Sequence, residues 1–173
     1  MKMPRMLLCL LSTSIFCAAC APWASYPPVE TTAKFTKATY EPIPTLMTEG
    51  IRCMNERYGE KSGDFAFNLP AGTPAKVYDT VIQRLGGGHP LSNPAEPAYH
   101  ITQVRSRDLD GEVDVIFPGA DGVYQSATIK LHKELVGPYQ VTDVRIWHFP
   151  VQPPAPNYPP PMPEGEPQTK PAS

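Results

Sequence analysis

The stretch EVDVIFPGADGVYQSATIKLH, residues 112–132, decides the fold class of this chain. Its apolar side chains recur at every second position on both sides of an Asp-Gly pair: Val113, Val115 and Phe117, then Ala127, Ile129 and Leu131. Such alternation is typical of strands with one buried face, and Asp-Gly between two alternating runs is a strong hairpin signal. The stretch therefore predicts an antiparallel hairpin with one face turned to a core.

Similar runs flank this hairpin on both sides. Residues 99–107 precede it through a turn at Asp110-Gly111, and residues 139–149 follow it after Val136-Gly137-Pro138. The four runs 99–107, 112–117, 123–132 and 139–149 predict an antiparallel meander, because short turns join consecutive strands. Alternation fails between Val141 and Val144, which predicts a β-bulge in the last strand.

Two helices and a short strand are predicted before the meander. In residues 45–58, apolar residues recur at helical spacing, although Gly50 weakens the pattern: Met47, Ile51, Met54 and Tyr58. Residues 64–69 alternate with period two and predict a strand with Phe65, Phe67 and Leu69 on one face. In residues 73–85, Thr73 is a suitable N-cap, Pro74 a suitable first residue and Gly86 a suitable end.

This second helix carries an apolar stripe that includes Val77, Tyr78 and Val81. Residues 45–149 therefore predict an α+β globular domain, with two helices packed on a four- to five-stranded antiparallel meander sheet. Its order of elements and its closing strand are faintly similar to NTF2-like and cystatin-like domains. That resemblance transfers no active-site residue.

Both ends of the mature chain are rich in proline. Residues 21–44 contain five prolines and no sustained periodicity, so residues 20–44 predict a lipidated N-terminus and a flexible tether. In residues 150–173, ten of twenty-four residues are proline, which predicts a disordered tail that favours polyproline II. The tail also contains P-x-x-P spacings, so it is interpreted either as a spacer or as a docking motif.

The first nineteen residues have the layout of a secretory signal. Lys2 and Arg5 precede an apolar run of eleven residues, 6–16, which is too short to span a bilayer. Small residues, Ala18 and Ala19, follow immediately before Cys20. Residues 1–19 are therefore predicted to be a signal peptide for export.

The junction Cys17-Ala18-Ala19-Cys20 resembles the bacterial lipobox, with Cys17 where an aliphatic residue is usual. The resemblance implies a lipoprotein whose lipidation site is Cys20. Acyl chains on this cysteine, such as palmitate, would insert into the membrane and make it the partner of the protein. Ala21 after that cysteine resembles lipoproteins of the outer membrane. Two alternatives remain at this point: ordinary cleavage after Ala21, giving a secreted soluble domain, or an uncleaved anchor.

Charge and cysteine content exclude some classes of protein. The formal net charge is −2, and removal of Lys2 and Arg5 with the signal takes it to −4. Because no basic run occurs, no nucleic acid partner is predicted. Once the signal is removed and Cys20 is lipidated, Cys53 is left without a partner for an internal disulfide. Cys53 is interpreted as a small buried apolar residue.

No pattern for catalysis, a cofactor or a metal stands out. The histidines lie on separate predicted elements without ligand spacing: His89, His100, His132 and His148. Residues 108–112 resemble the start of a calcium loop, but a hairpin turn explains them better. If the sheet curls as in NTF2-like domains, one pocket lined by polar and aromatic residues is conceivable: Tyr99, Asp143, Arg145 and Trp147.

The sequence therefore predicts a membrane-anchored cell-envelope lipoprotein with a non-enzymatic binding or structural role. It would sit outside the cytoplasm, anchored by lipid in the outer membrane, and bind an envelope protein that the sequence does not identify. The alternative is a small-ligand carrier or enzyme of the NTF2-like kind.

Overall fold

A computed structural model describes residues 22–29, 34–59 and 64–158. These described residues contain two helices, α1 (Ile43–Tyr58) and α2 (Ala75–Leu85). The strands are, in chain order, β1 (Ala24–Tyr26), β2 (Lys34–Phe35), β3 (Ala66–Asn68), β4 (His89–Pro90), β5 (Ala98–Arg107), β6 (Asp110–Pro118), β7 (Tyr124–Lys133) and β8 (Tyr139–Trp147). The α+β class predicted from the sequence is confirmed.

The eight strands form one mixed sheet with the main order β2-β1-β5-β6-β7-β8. The predicted meander is its larger part, because β5, β6, β7 and β8 pair antiparallel in sequence order. The prediction of a purely antiparallel sheet is wrong, since β3 pairs parallel with β4 and β5, and β2 pairs parallel with β1. Helix α2 lies between β3 and β5 in the chain and allows the parallel return.

Details of the meander confirm some local predictions and correct one. The register shifts between Lys130 and Leu131, opposite residues 141–143, so the predicted bulge in β8 is confirmed. The turn between β5 and β6 is not Asp110-Gly111. It is Asp108-Leu109, and Asp110 already pairs with Arg107. Gly111 lies in β6, where a Cβ atom would clash with a methyl group of Leu46 in α1.

The two helices cover one face of the sheet and fill the core. Met47, Ile51 and Met54 of α1 are fully buried, as are Val113, Val115 and Ile129 of the sheet. Gly50 allows this close packing, because a Cβ atom there would be 2.8 Å from Val113 Cγ1. Gly50 weakens the helical pattern in the sequence, but the short distance between α1 and the sheet requires a glycine at this position.

Helix α2 begins later than predicted. Its N-cap position is Pro74, not Thr73, and no side chain caps it. The Thr73 hydroxyl instead donates to the Pro70 carbonyl at 2.6 Å and hydrogen-bonds the Tyr26 hydroxyl at 3.1 Å. The predicted end is confirmed, because Gly86 adopts the left-handed conformation with φ 73°.

The predicted tether is wrong for the residues that the structure describes between 22 and 44. Strand β1 pairs antiparallel with β5, with Tyr26 opposite Val104. The Tyr26 side chain belongs to the core, and the Pro27 carbonyl accepts a hydrogen bond from Gln103 Nε2 at 2.7 Å. Helix α1 also begins at Ile43, within the predicted tether. Prolines lie close to both ends of this strand, so the composition of the segment predicts a tether.

The predicted disordered tail is also wrong up to Tyr158. Residues 151–158, which we call the strap, pack against the domain. At one end the Val151 amide donates to the Tyr124 carbonyl at 3.0 Å. At the other, Tyr158 lies against Tyr78 with ring centroids 4.9 Å apart. Between these contacts the strap passes from β7 to β3, past the two strands that separate them in the sheet.

Candidate binding surface

The two cysteines that matter for the sequence interpretation lie in different parts of the chain. Cys20, the predicted lipidation site, and its lipobox-like neighbours lie outside the described residues. Cys53 is a buried free cysteine in α1, as predicted. Burial raises the pKa of the Cys53 thiol, which keeps the sulfur protonated and a poor nucleophile.

The histidines occupy four separate environments. His132 lies 2.8 Å from Asp110, His148 is exposed after β8, and His100 is buried in β5. His89 lies between two carboxylates, with Nδ1 3.0 Å from Asp64 and Nε2 2.9 Å from Glu96. Within the ranges that the structure describes, no three histidine, cysteine, aspartate or glutamate side chains are placed so that they could hold a metal ion.

His89 joins the two loops that precede β3 and β5. Partial burial disfavours its charge, but hydrogen bonds to Asp64 and Glu96 outweigh this and raise the pKa of His89. The pair contacts are half-exposed, so they contribute little to stability. The two carboxylate residues, Asp64 and Glu96, line a cavity of about 470 Å³ together with Tyr58, Phe65 and Tyr99.

His100 is the most unusual titratable group that the structure describes. Its side chain is 2% exposed, and Nδ1 lies 3.3 Å from Asn68 Nδ2, which can only donate. Nδ1 is therefore the acceptor, and the proton is on Nε2, which has no hydrogen-bond partner among the residues that the structure describes. The ring also lies edge-on to Tyr124, with centroids 5.5 Å apart.

The buried His100 should make the protein less stable in mild acid. Burial lowers the pKa of His100 to about 4, from an ordinary value of 6.5. Between these values the unfolded chain binds a proton that the folded chain excludes, so stability decreases as pH falls through this window. We expect this group to lower the free energy of unfolding by roughly 2 to 3 kcal/mol between pH 7 and pH 4.

Urea unfolding at a series of pH values measures this effect. His100→Gln should flatten the decrease between pH 6.5 and pH 4, whatever its effect at neutral pH. His148→Gln, which removes a histidine from an exposed position, is the matched control. Parallel pH curves for wild type and His100→Gln would contradict the assignment.

The pocket imagined for an NTF2-like sheet is not formed. Tyr99 belongs to the core on the helix side and lies against Phe65, with ring centroids 6.0 Å apart. Asp143, Arg145 and Trp147 are exposed on β8, and Asp143 is opposite Lys130 of β7. His100 and Asp143 lie on β5 and β8, with β6 and β7 between them, so they form no acid–base pair.

The polar residues of the meander instead form a connected row on the open face, the sheet face opposite the helices. Asp114 of β6 is the centre of this row. It accepts two hydrogen bonds from Arg105 of β5, at 2.8 and 3.2 Å, and one from Thr128 of β7, at 2.8 Å. Thr128 in turn accepts a long hydrogen bond, 3.4 Å, from the Trp147 indole of β8.

Arg105 also donates to Glu112 at 3.0 Å. Burial works against its charge, but the contacts with Asp114 and Glu112 outweigh this and raise the pKa of Arg105. The row is therefore a network of mutually satisfied charges. It fixes the side chains around Trp147 rather than presenting an unpaired acid or base.

A cleft of about 430 Å³ lies at the β8 end of this row. It is lined by Asp114, Ser126, Ala127, Thr128, Trp147 and Phe149. Trp147 and Phe149 are 39% and 53% exposed, their ring centroids are 6.5 Å apart, and the Arg145 guanidinium lies over the Trp147 ring. Exposed aromatic rings beside fixed hydrogen-bonding groups are typical of binding sites for peptides and proteins.

No protein-family model, curated protein or solved structure matches this chain. Among the described residues, neither helix is long and apolar enough to cross a membrane.

Proposed function

We propose that this protein is an exported lipoprotein, anchored through lipid on Cys20, that binds a protein partner of the cell envelope without catalysis. The lipobox-like junction supports the anchor. The aromatic cleft at Trp147 supports the binding role, because it combines exposed rings with Asp114 and Thr128, whose hydrogen bonds hold them in place. The outer membrane is the proposed location, because Ala21 directly after Cys20 resembles lipoproteins of the outer membrane.

The anchor is tested by Cys20→Ser. The variant should lose acyl mass from its N-terminal peptide, lose incorporation of labelled palmitate, and move from the membrane to the soluble fraction. Cys53→Ser is the matched control, because Cys53 is buried in α1 and should keep both lipid and membrane attachment. A wild-type mature protein that begins at Pro22 without acyl chains would contradict the proposal.

The binding role requires a separate test in the native envelope. A photo-reactive amino acid at Ser126, which lines the cleft, should give a defined adduct with one envelope protein. The adduct should be lost when Trp147→Ala is added. The same amino acid at Lys76, exposed on α2, is the control position. An adduct that forms equally from both positions, or survives Trp147→Ala, would contradict a binding site at the cleft.

A further inference from the structure

The strap is held by the domain in the manner of a bound peptide. The side-chain amide of Asn68 contacts the backbone of the strap at two points. Its Nδ2 donates to the Ala155 carbonyl at 2.9 Å, and its Oδ1 accepts from the backbone N–H of Asn157 at 3.0 Å. The side chain of Asn68 is itself buried. A side-chain amide that pairs with the carbonyl of one residue and the N–H two residues later recognises extended backbone whatever its side chains are.

The C-terminal end of the strap adds contacts that depend on its sequence. Asn157 Nδ2 donates to the Leu69 carbonyl at 2.8 Å, and the partly buried Tyr158 ring packs on Tyr78 at the edge of the hydrophobic core. The Tyr78 hydroxyl is held in place by the Leu69 amide, which donates to it at 3.1 Å. We call this set of residues, Asn68, Leu69, Tyr78 and Tyr124, the groove.

The composition of the strap suits an exchangeable ligand. Pro153, Pro154 and Pro156 have no N–H to satisfy and restrict the chain to extended conformations, so little conformational entropy is lost on binding. The strap also adds no strand to the sheet. Residues 148–150, which link it to β8, are exposed and lie outside any strand. The strap can therefore leave the groove without breaking a strand pair.

We propose that the groove is a recognition site for an extended, proline-containing segment ending in Asn-Tyr, and that a second copy of this chain supplies that segment. Every copy carries both halves of the interaction, so a strap seated in a neighbour's groove makes the same contacts as one seated in its own. The link of residues 148–150 acts as the hinge. Two copies that exchange straps form a symmetric pair in which both grooves are filled.

Exchange depends on local concentration. A segment on a short link competes with an effective concentration in the millimolar range, so dilute copies keep their straps in their own grooves. Crowded copies exchange them. Binding of a strap from another copy is therefore measured most directly when the protein's own strap has been weakened and competes less for the groove.

The test uses two variants of the mature chain, both with Cys20→Ser so that lipid cannot cause association. The strap variant is Asn157→Ala with Tyr158→Ala, and the groove variant is Asn68→Ala, with Asn68→Ser as its substitute if the alanine variant does not fold. Each should be monomeric alone by analytical ultracentrifugation. Mixed at equal concentration, they should form a heterodimer, because one supplies the strap and the other the groove.

A synthetic peptide PVQPPAPNY, residues 150–158, is the second probe. It should bind the strap variant at least ten times more tightly than wild type, and excess peptide should dissociate the heterodimer. The peptide ending in Ala-Ala is the control and should do neither. Three results would overturn the proposal: peptide binding without a heterodimer, a heterodimer that resists excess peptide, or a strap variant that does not fold, which would make the strap a fixed part of the core.

Discussion

Val81→Asp should abolish folding. Val81 is fully buried in α2, in the stripe that packs on the sheet and α1. An unpaired carboxylate there costs several kcal/mol, which is a large part of the 5 to 15 kcal/mol that stabilises an ordinary domain. Circular dichroism and urea unfolding should show the loss directly, as absent tertiary signal or a transition at much lower urea.

Gln83→Asp is the matched control on the same helix. Gln83 is exposed two residues further along, so the same new charge should change the free energy of unfolding by less than about 0.5 kcal/mol. Similar losses from both substitutions would show that α2 does not present the face assigned to it.

The fragment 43–151 should be far less stable than the fragment 22–158. The shorter fragment lacks β1 and all of the strap except Val151, and so loses the buried ring of Tyr26 and the partly buried ring of Tyr158. It also leaves the Asn68 amide without its two backbone partners and exposes the edge of β5 that β1 covers. Burial of the Tyr26 ring contributes roughly 2 kcal/mol, the partly buried Tyr158 ring contributes less, and a buried amide left without partners costs about 1 to 3 kcal/mol.

We therefore expect the free energy of unfolding of 43–151 to be lower by roughly 5 kcal/mol or more, with a broad thermal transition or none. The fragment 22–158 is the control and should match the mature chain within about 0.5 kcal/mol. If 43–151 unfolds as cooperatively and at the same urea concentration as 22–158, the end segments contribute nothing to the core.

The sequence predicted the parts of the fold that repeat a pattern. Alternation in residues 99–149 gave the meander, the apolar face and the bulge, and helical spacing gave α1 and α2. These signals survive in a single sequence because each apolar side chain faces the same core. The correct end of α2 at Gly86 rests on backbone conformation alone, which favours glycine at a positive φ.

The missed parts are those in which proline and backbone contacts replace periodicity. β1 has three residues, too few to show alternation, and prolines follow it directly. The strap is held by the buried Asn68 amide, the Tyr78 ring and the carbonyls of Leu69 and Tyr124, all of which lie far away in the chain. Nothing in the sequence near Asn68 marks it as a peptide-binding residue, because residues 155 and 157 offer it only backbone groups.

The alternation of residues 112–132 implies that the polar residues between the apolar ones, such as Asp114 and Thr128, lie on the face away from the core. The pairing of Asp114 with both Arg105 and Thr128 depends, in addition, on the register of three strands. Register follows from turn positions, and the turn between β5 and β6 lies two residues from the predicted place. The cleft at Trp147 could therefore be recognised only from the structure.

The long separations that close this domain bear on how it folds. The hairpins of β5 to β8 involve neighbouring segments, whereas Pro27 meets Gln103 across 76 positions and Asn68 meets Asn157 across 89. Closing such loops costs entropy before any contact compensates for it, and proteins rich in distant contacts fold slowly. The meander can form early from local pairing. Attachment of β1 and the strap then depends on loop closure, so we expect these peripheral segments to join the domain late and to limit its folding rate.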